Sequence, residues 1–160
     1  MRAFLSYGLR NDEMYWVSVL AEQLQKRGFE VVAPNYLDEK SYHSNINSIF
    51  SSHLYLGILT EVRDSQRILF EFKNALVKIP SLLIIDENLY GRILSDSANI
   101  ITPRMIEKII SLNRRNYNLT IAEINSRIEK IKNDYSNNNL AWLIGGAAFI
   151  ALLSILSKNK

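Results

Sequence analysis

Glu71 is the side chain of this sequence that is best placed to do chemistry. It belongs to the segment 67–75, in which apolar residues at helical spacing define a buried side and Glu71 stands beside Phe72 at the rim of that side. A single carboxylate at the edge of a cleft can stabilise positive charge that develops on a sugar, and it needs no partner acid when the leaving group is already cationic. The alternative is a surface glutamate that contacts only solvent.

The composition excludes several other kinds of site. Cysteine is absent, so the chain has neither disulfides nor thiolate ligands, and its two histidines, His43 and His53, are too few for a histidine-rich metal centre. We therefore expect no metal. The formal net charge is +3, and two of the lysines, Lys158 and Lys160, follow the last apolar run. Because no stripe of basic residues with interleaved aromatics remains, we expect no nucleic acid partner.

The start of the chain is typical of one β-α-β unit. Residues 2–6 and 28–32 are short, β-prone runs, and between them the segment 13–27 carries apolar residues at helical spacing. Gly28 falls where a glycine commonly ends a helix. Because two strands joined through a helix usually lie parallel in one sheet, the sequence predicts a parallel sheet.

The same alternation of strand and helix continues along the chain. Further strands are predicted at residues 53–60, 80–86 and 99–101, and helices at residues 45–51, 61–77 and 103–112, the last with Thr102 as its N-cap. The pattern predicts an α/β fold, a flavodoxin-like five-stranded parallel sheet in the order 2-1-3-4-5 with flanking helices. In such sheets ligands bind beyond the carboxyl ends of the strands, where the order reverses next to the first strand. The ends concerned are residues 6–12, 33–44 and 60–67.

Three short motifs resemble a known family. The opening Phe-Leu-Ser-Tyr at residues 4–7, the acidic Asp12 and the Gly-Phe-Glu-Val run at residues 28–31 together resemble the first third of a Toll/interleukin-1 receptor (TIR) domain. TIR domains with enzymatic activity are similar to one another in the helix after the third strand, where a tryptophan precedes a glutamate. Here the glutamate is Glu71, and Arg67 stands in place of the tryptophan.

The resemblance, which covers residues 1–101, implies an activity and a binding site. Glu71 would be the catalytic acid of NAD+ glycohydrolysis and would hold the nicotinamide ribose hydroxyls, with NAD+ as substrate and no further cofactor. Gly8 would let the nucleotide approach the backbone, and Arg10 could reach a phosphate. In the loop after the second strand, residues 40–44 replace the Pro-Gly pair that is usual in the family. The implied nucleotide contacts are Tyr7, Gly8, Arg10, Asn35, Tyr36, Asp38 and Arg67.

Residues 102–139 form a predicted helical stalk beyond the part that resembles the family. Thr120 and Glu123 have the spacing of a capping box, which predicts that a helix starts at Thr120. Apolar residues then recur at steps of three and four, as in the seam of a short coiled coil: Ile121, Ile124, Ile128 and Ile131. Two interpretations stay open, a stalk through which copies of the chain associate and a helix whose apolar stripe packs on its own sheet.

Residues 140–157 contain no charged residue. As a helix they would extend about 27 Å, close to the hydrocarbon thickness of a bilayer. Trp142 and Lys158 are typical of the two interfaces of a membrane span. The sequence therefore predicts a tail-anchored, single-pass membrane protein with a cytoplasmic N-terminal head, divided into residues 1–101, 102–139 and 140–157. A buried core helix is the alternative for the last segment.

Three functions are compatible with these features. The first is a membrane-anchored TIR-like effector in immune (antiviral) defence or cell death, which cleaves the N-glycosidic bond of NAD+ or a related nucleotide when copies associate through head and stalk. The second is a catalytically inactive TIR-like sensor or adaptor, which binds a nucleotide or a partner TIR domain and signals or disrupts the membrane through its apolar segment. The third is a nucleoside deoxyribosyltransferase, since such enzymes share this sheet and use a glutamate on an equivalent helix as a covalent nucleophile.

Overall fold

The sheet has the topology that the sequence predicts. The computed structural model describes residues 1–34, 41–96 and 101–136, with the backbone alone at residues 41–44. Its five strands are parallel and lie in the order 2-1-3-4-5. Because the order reverses next to the first strand, the loop after that strand lies at the crevice of the sheet. In chain order the strands are β1 (Arg2–Gly8), β2 (Glu30–Val32), β3 (Leu54–Leu59), β4 (Ser81–Asp86) and β5 (Ile109–Leu112).

Helices connect the strands and cover both sides of the sheet. A short 3-10 turn, Asn11–Glu13, precedes the first helix, which therefore starts two residues later than predicted. Gly28, with a φ of 81°, ends this helix as predicted, and its N–H donates to the carbonyl oxygen of Gln25 at 2.9 Å. In the described part of the chain the helices are α1 (Tyr15–Lys26), α2 (Ser41–Phe50), α3 (Ser65–Lys78), α4 (Glu87–Asp96), α5 (Pro103–Ile106) and α6 (Tyr117–Ser136).

Successive side chains of β1 point to opposite faces of the sheet. Ala3 and Leu5 lie in the core that α1 and α6 cover, and this side is called the α1 face. Phe4 lies in the second core, which α2 and α3 cover, and this side is called the α3 face. β3 and β4 are buried along their whole length, which explains why their sequences are continuous apolar runs instead of alternating ones.

The fifth strand lies further along the chain than predicted. The sequence predicts it at residues 99–101, of which 99 and 100 lie outside the described residues, and it predicts a helix over residues 103–112. In the structure α5 is a single turn, and the fifth strand is Ile109–Leu112. Thr102 does cap α5, but a cap specifies where a helix starts and not its length. The apolar run after α5 pairs with β4 and is buried on both faces, so the sheet extends past residue 101, where the first domain is predicted to end.

α6 starts earlier than predicted and packs on its own sheet. The predicted capping box is wrong, because the helix begins at Tyr117 and the Thr120 hydroxyl instead accepts the N–H of Asn113 at 3.2 Å. Ile124 and Ile128 are completely buried in the core of the α1 face. Of the two interpretations of the apolar stripe, the structure shows packing within the chain. Association between copies stays a prediction.

The predicted membrane span also stays a prediction. Residues 140–157 lie outside the described residues. Among the residues that the structure does describe, no helix combines the length and the apolar character that crossing a bilayer requires.

Candidate active site

Glu71 lies on the side of α3 that packs against the sheet. α3 contacts β1 and β3, and Ile68, Phe72 and Ala75 on the same side of the helix are completely buried. These apolar positions recur at the spacing of helical turns, which directs this side of α3 toward the core. The Glu71 side chain is 0% exposed. The carboxylate is therefore enclosed, whereas the sequence predicts a position at the rim of the cleft.

Ser6 holds one oxygen of this carboxylate. Its Oγ donates to Glu71 Oε2 at 2.5 Å, and both side chains are completely buried. Ser6 belongs to β1, where alternation places it on the α3 face together with Phe4. It is absent from the predicted site, although a hydroxyl within a buried apolar strand is a signal that the sequence does contain.

Arg67 lies one helical turn before Glu71 and therefore nearer to the carboxyl edge of the sheet. Its Nη1 is 3.7 Å from Glu71 Oε1, and its Nη2 is 3.2 Å from Asp64 Oδ1. Nη2 also donates to the carbonyl oxygen of Tyr7 at 3.0 Å. The guanidinium thus joins the end of β1 to the start of α3, and it lies between Glu71 and the edge of the sheet.

The surroundings of Glu71 shift the pKa of its carboxyl group upward. Burial raises the pKa of Glu71 above its ordinary value, and the hydrogen bond from Ser6 and the positive charge of Arg67 offset only part of that rise. Among the described residues, Glu71 Oε1 accepts no hydrogen bond. A buried carboxylate with a raised pKa and a spare acceptor oxygen, close to the switch point of a parallel sheet, is typical of a functional site.

Gly8 allows β1 and the start of α3 to approach closely. A Cβ at this position would lie 2.7 Å from Asp64 Cβ and 2.9 Å from Leu59 Cδ1, so a larger residue would push these groups apart. The Gly8 carbonyl oxygen accepts the N–H of Thr60 at 2.9 Å, which ties the end of β1 to the end of β3. The space that a side chain would occupy is thus filled by the chain itself, and Asp64 comes within reach of Arg67.

A second group of charged side chains lies at the same edge, on the α1 face. Arg10 donates to Glu13 through Nη2 at 2.7 Å and through Nε at 3.1 Å. The Nη2 atom of Arg114 is 2.5 Å from Glu13 Oε1, and its Nε donates to Asp86 at the end of β4. Glu13 and Asp86 are both buried. These four side chains are called the arginine–carboxylate cluster.

In the arginine–carboxylate cluster the pKa of the buried glutamate, Glu13, is shifted in the opposite direction to that of Glu71. Burial by itself would raise the pKa of Glu13, but hydrogen bonds from Arg10 and Thr60 and the charge of Arg114 outweigh it, and the pKa lies below its ordinary value. An ionised carboxylate with two arginine partners is typical of a structural ion-pair network. The sequence alone does not reveal this cluster, because the ends of β1, β4 and β5 meet only in the folded sheet.

The structure brings some of the predicted site residues together and separates others. Glu71, Arg67 and Gly8 lie together on the α3 face. Tyr7 contributes its carbonyl oxygen there, but its side chain packs against the core of the α1 face. The guanidinium of Arg10 belongs to the arginine–carboxylate cluster on that face. The remaining predicted contacts lie outside the described residues: Asn35, Tyr36 and Asp38.

Comparison with known proteins supports the fold. No protein-family model matches the sequence, and no curated protein matches it. Among solved structures, the chain is similar to a 2-deoxyribosyltransferase from the psychrotolerant bacterium Bacillus psychrosaccharolyticus, which is described as a biocatalyst for the industrial synthesis of nucleosides. The TM-score is 0.50 and the sequence identity 13%, and the likeness covers 74% of this chain and 91% of that chain. At this identity the likeness shows a common fold.

Proposed function

We propose that this chain cleaves the N-glycosidic bond of a nucleotide, with NAD+ as substrate and Glu71 as the catalytic residue. The observation that carries the proposal is the state of one buried carboxylate at the carboxyl edge of the sheet. Ser6 fixes its Oε2 at 2.5 Å, and its Oε1 accepts no hydrogen bond among the described residues. One oxygen is thus held by the protein, and the other has the capacity to bind a substrate hydroxyl.

The proposed reaction needs little more than such a carboxylate. The bond between the ribose and the nicotinamide nitrogen breaks, and its electron pair leaves with nicotinamide, which becomes neutral. The positive charge that develops on the ribose is stabilised by the anionic Glu71 carboxylate in a site with little water. Water then adds to the sugar and releases a proton, so that the products are nicotinamide and ADP-ribose.

Glu71 must be ionised for this role, and its neighbours control the fraction that is ionised at a given pH. Burial raises the pKa of Glu71, whereas the Ser6 hydroxyl and the Arg67 guanidinium act in the opposite direction. Cleavage should therefore increase as the pH rises through the pKa of Glu71. The same two residues also hold the carboxylate in place, because each approaches a different one of its oxygens.

The proposal extends to the whole chain. It is a TIR-like effector with a membrane-anchored tail and a cytoplasmic head, and it acts in immune defence or cell death when copies associate. Support for the TIR likeness comes from the Phe-Leu-Ser-Tyr opening and from Glu71, and support for the anchor comes from the uncharged residues 140–157. An anchor would concentrate heads on one surface, so that weak contacts between them suffice for assembly.

Nicotinamide release from NAD+ by the full chain in lipid vesicles tests the proposal. We expect the wild type to release nicotinamide and Glu71→Gln to release about 100-fold to 1,000-fold less, because the variant removes the charge that stabilises the sugar cation. Glu61→Gln is the matched control, since Glu61 lies at the same edge and is partly exposed. An inactive wild type, or equal release by Glu71→Gln, would overturn the proposal.

A second candidate is transfer of a deoxyribosyl group between bases, with Glu71 as a covalent nucleophile. It is favoured by the fold shared with the deoxyribosyltransferase, at a TM-score of 0.50. Incubation with a deoxynucleoside and a different free base, followed by mass spectrometry of the peptide that contains Glu71, distinguishes the two reactions. A deoxyribosyl adduct and a new nucleoside would indicate transfer. If neither reaction occurs, the catalytically inactive sensor is the function that is left.

A further inference from the structure

Arg67 lies beside Oε1 of Glu71, the oxygen that accepts no hydrogen bond among the described residues. The guanidinium Nη1 is 3.7 Å from Glu71 Oε1, while Nη2 is held by Asp64 at 3.2 Å and by the Tyr7 carbonyl oxygen at 3.0 Å. The Arg67 side chain is 23% exposed, whereas Glu71 is 0% exposed. Arg67 therefore reaches solvent at the edge of the sheet and covers the carboxylate beneath it.

The enclosed arrangement cannot be the one that reacts. A sugar hydroxyl needs a distance of about 2.7 Å to bind a carboxylate oxygen, and an oxygen with no solvent exposure offers no path to that distance. Arg67 must move before substrate contacts Glu71. A ligand can drive such a movement only if it binds the open arrangement better than the closed one.

A phosphate group has the chemistry that would drive it. Guanidinium groups bind phosphate through two parallel hydrogen bonds, and a phosphate carries more charge and more acceptor oxygens than the single Asp64 carboxylate. Asp64 is itself partly exposed, so an incoming phosphate can compete with it from solvent. A nucleoside without phosphate has no anionic group that would replace Asp64.

We propose that Arg67 binds a phosphate of the substrate and that its transfer from Asp64 and the Tyr7 carbonyl to that phosphate uncovers Glu71. The substrate class is then a nucleotide that carries phosphate close to the scissile bond, in preference to a nucleoside that lacks phosphate. This inference rests on the proposed function, and it makes substrate binding and the opening of the site one event.

Arg63 provides a matched control for Arg67. It lies four residues earlier, in the loop that leads into α3, and approaches Asp64 Oδ2 at 3.8 Å and Glu61 Oε2 at 3.6 Å. Its side chain is 75% exposed, so it carries the same charge at the same edge in open solvent. Replacing Arg63 by glutamine therefore tests for a general effect of charge, and replacing Arg67 tests the contact that covers Glu71.

The first experiment measures how accessible Glu71 is, independently of any activity. The full chain is labelled with a water-soluble carbodiimide and an amine, and peptides are quantified by mass spectrometry. We expect Glu71 to be labelled about tenfold faster in Arg67→Gln than in the wild type, and at an unchanged rate in Arg63→Gln. Glu71 that stays as protected in Arg67→Gln as in the wild type would overturn the proposal.

Glu13 serves as the internal reference for folding in this experiment, because it is buried on the other face. If Arg67→Gln exposes Glu13 as well, the whole fold has loosened, and Asp64→Asn then decides. That variant keeps the arginine and weakens its anchor. Faster labelling of Glu71 with Glu13 still protected supports the proposal, and unchanged labelling of Glu71 contradicts it.

The second experiment compares nicotinamide mononucleotide with nicotinamide riboside, which have the same scissile bond and differ by one phosphate. We expect kcat/KM of the wild type to favour the mononucleotide about tenfold or more, in keeping with one charge-assisted pair of hydrogen bonds. Arg67→Gln should abolish this preference and Arg63→Gln should keep it. Equal use of both compounds by the wild type would overturn the proposal. If neither of them nor NAD+ is cleaved, the proposed function fails, and if NAD+ alone is cleaved, it stands. In both cases the labelling experiment decides whether Arg67 covers Glu71.

Discussion

Glu13 and Glu71 are buried at the same edge of the sheet, on opposite faces, and their partners differ. Glu13 has guanidinium nitrogens of Arg10 at 2.7 Å and of Arg114 at 2.5 Å. Glu71 has a hydroxyl at 2.5 Å and a guanidinium nitrogen no closer than 3.7 Å. Burial raises the pKa of both, but the arginines bring that of Glu13 below its ordinary value, while that of Glu71 stays raised.

We propose that this difference separates a structural carboxylate, Glu13, from a functional one, Glu71. Each oxygen of Glu13 has a close partner, and the same arginines connect the loop after β1 to the ends of β4 and β5. Among the described residues, Glu71 accepts a hydrogen bond at one oxygen only, and Arg67 approaches the other no closer than 3.7 Å. Incomplete compensation of a buried group destabilises a fold, and proteins commonly retain it where a ligand completes the set.

Loss of the Glu13 charge should have the largest effect on stability. In Glu13→Gln two guanidinium groups lose a buried anionic partner, and we expect the free energy of unfolding to fall by about 3 kcal/mol, at the low end for buried ion pairs because Arg10 is half exposed. Urea-induced unfolding of the full chain measures it. Glu71→Gln, the matched variant, should unfold at no lower urea concentration than the wild type. A larger loss in Glu71→Gln than in Glu13→Gln would reverse the comparison.

Gly8→Ala should disturb the Glu71 side of the edge alone. The new Cβ would lie 2.7 Å from Asp64 Cβ, and relief of that overlap should lower the free energy of unfolding by about 2 kcal/mol. Gly91→Ala in α4 is the control, since a Cβ there would meet nothing within 4 Å. We expect that control to be neutral or slightly stabilising because alanine favours helix. Thermal unfolding of both variants checks the prediction, which fails if they behave alike.

Ser6→Ala tests whether the Ser6 hydroxyl positions the Glu71 carboxylate. The variant removes the hydrogen bond to Glu71 Oε2, and we expect nicotinamide release at neutral pH to fall about tenfold, the size of one hydrogen bond to a charged group. Because that hydrogen bond lowers the pKa of Glu71, the acid limb of the pH profile should move to higher pH. Ser18→Ala, on the exposed side of α1, should leave rate and profile unchanged. A slower variant with an unshifted profile would leave Ser6 a packing role only.

The pH dependence of stability should differ in sign between the two glutamates. Glu13, with a lowered pKa in the fold, stabilises above the pKa of the unfolded chain, and this contribution is lost as the pH falls through the lowered value. Glu71, with a raised pKa, binds its proton more tightly in the fold, so stability declines as the pH rises from the ordinary carboxyl value to the raised one. Urea unfolding at a series of pH values should show the first change missing in Glu13→Gln and the second missing in Glu71→Gln. Identical pH profiles for the two variants would contradict the assignment.

The sheet could be predicted from sequence wherever local and long-range signals agree. Gly28 marks the end of α1 because only the left-handed backbone closes that helix, and the apolar runs of β3 and β4 have no other stable place than the centre of a parallel sheet. The local and the long-range signals disagree at β5. Thr102 and Pro103 start a helix, but its continuation is decided by pairing with β4, and no local pattern records that pairing.

The candidate site could be predicted only where local patterns along one element are sufficient. Helical spacing along α3 places Glu71 next to the buried side, and alternation along β1 could have placed Ser6 opposite it. The sequence does not show that Arg67 would bind Asp64 and the Tyr7 carbonyl, because that contact depends on how closely Gly8 lets two elements approach. Separations between elements are set by packing, which a single sequence does not display.

Nicotinamide release by Glu71→Gln and Glu13→Gln, measured side by side per folded molecule of full chain in vesicles, tests the central claim most directly. We expect Glu13→Gln, despite its lower stability, to release nicotinamide at close to the wild-type rate. Glu71→Gln should release at least about 100-fold less. Unimpaired release by Glu71→Gln, or loss of release in Glu13→Gln alone, would contradict the claim that Glu71 is the catalytic carboxylate.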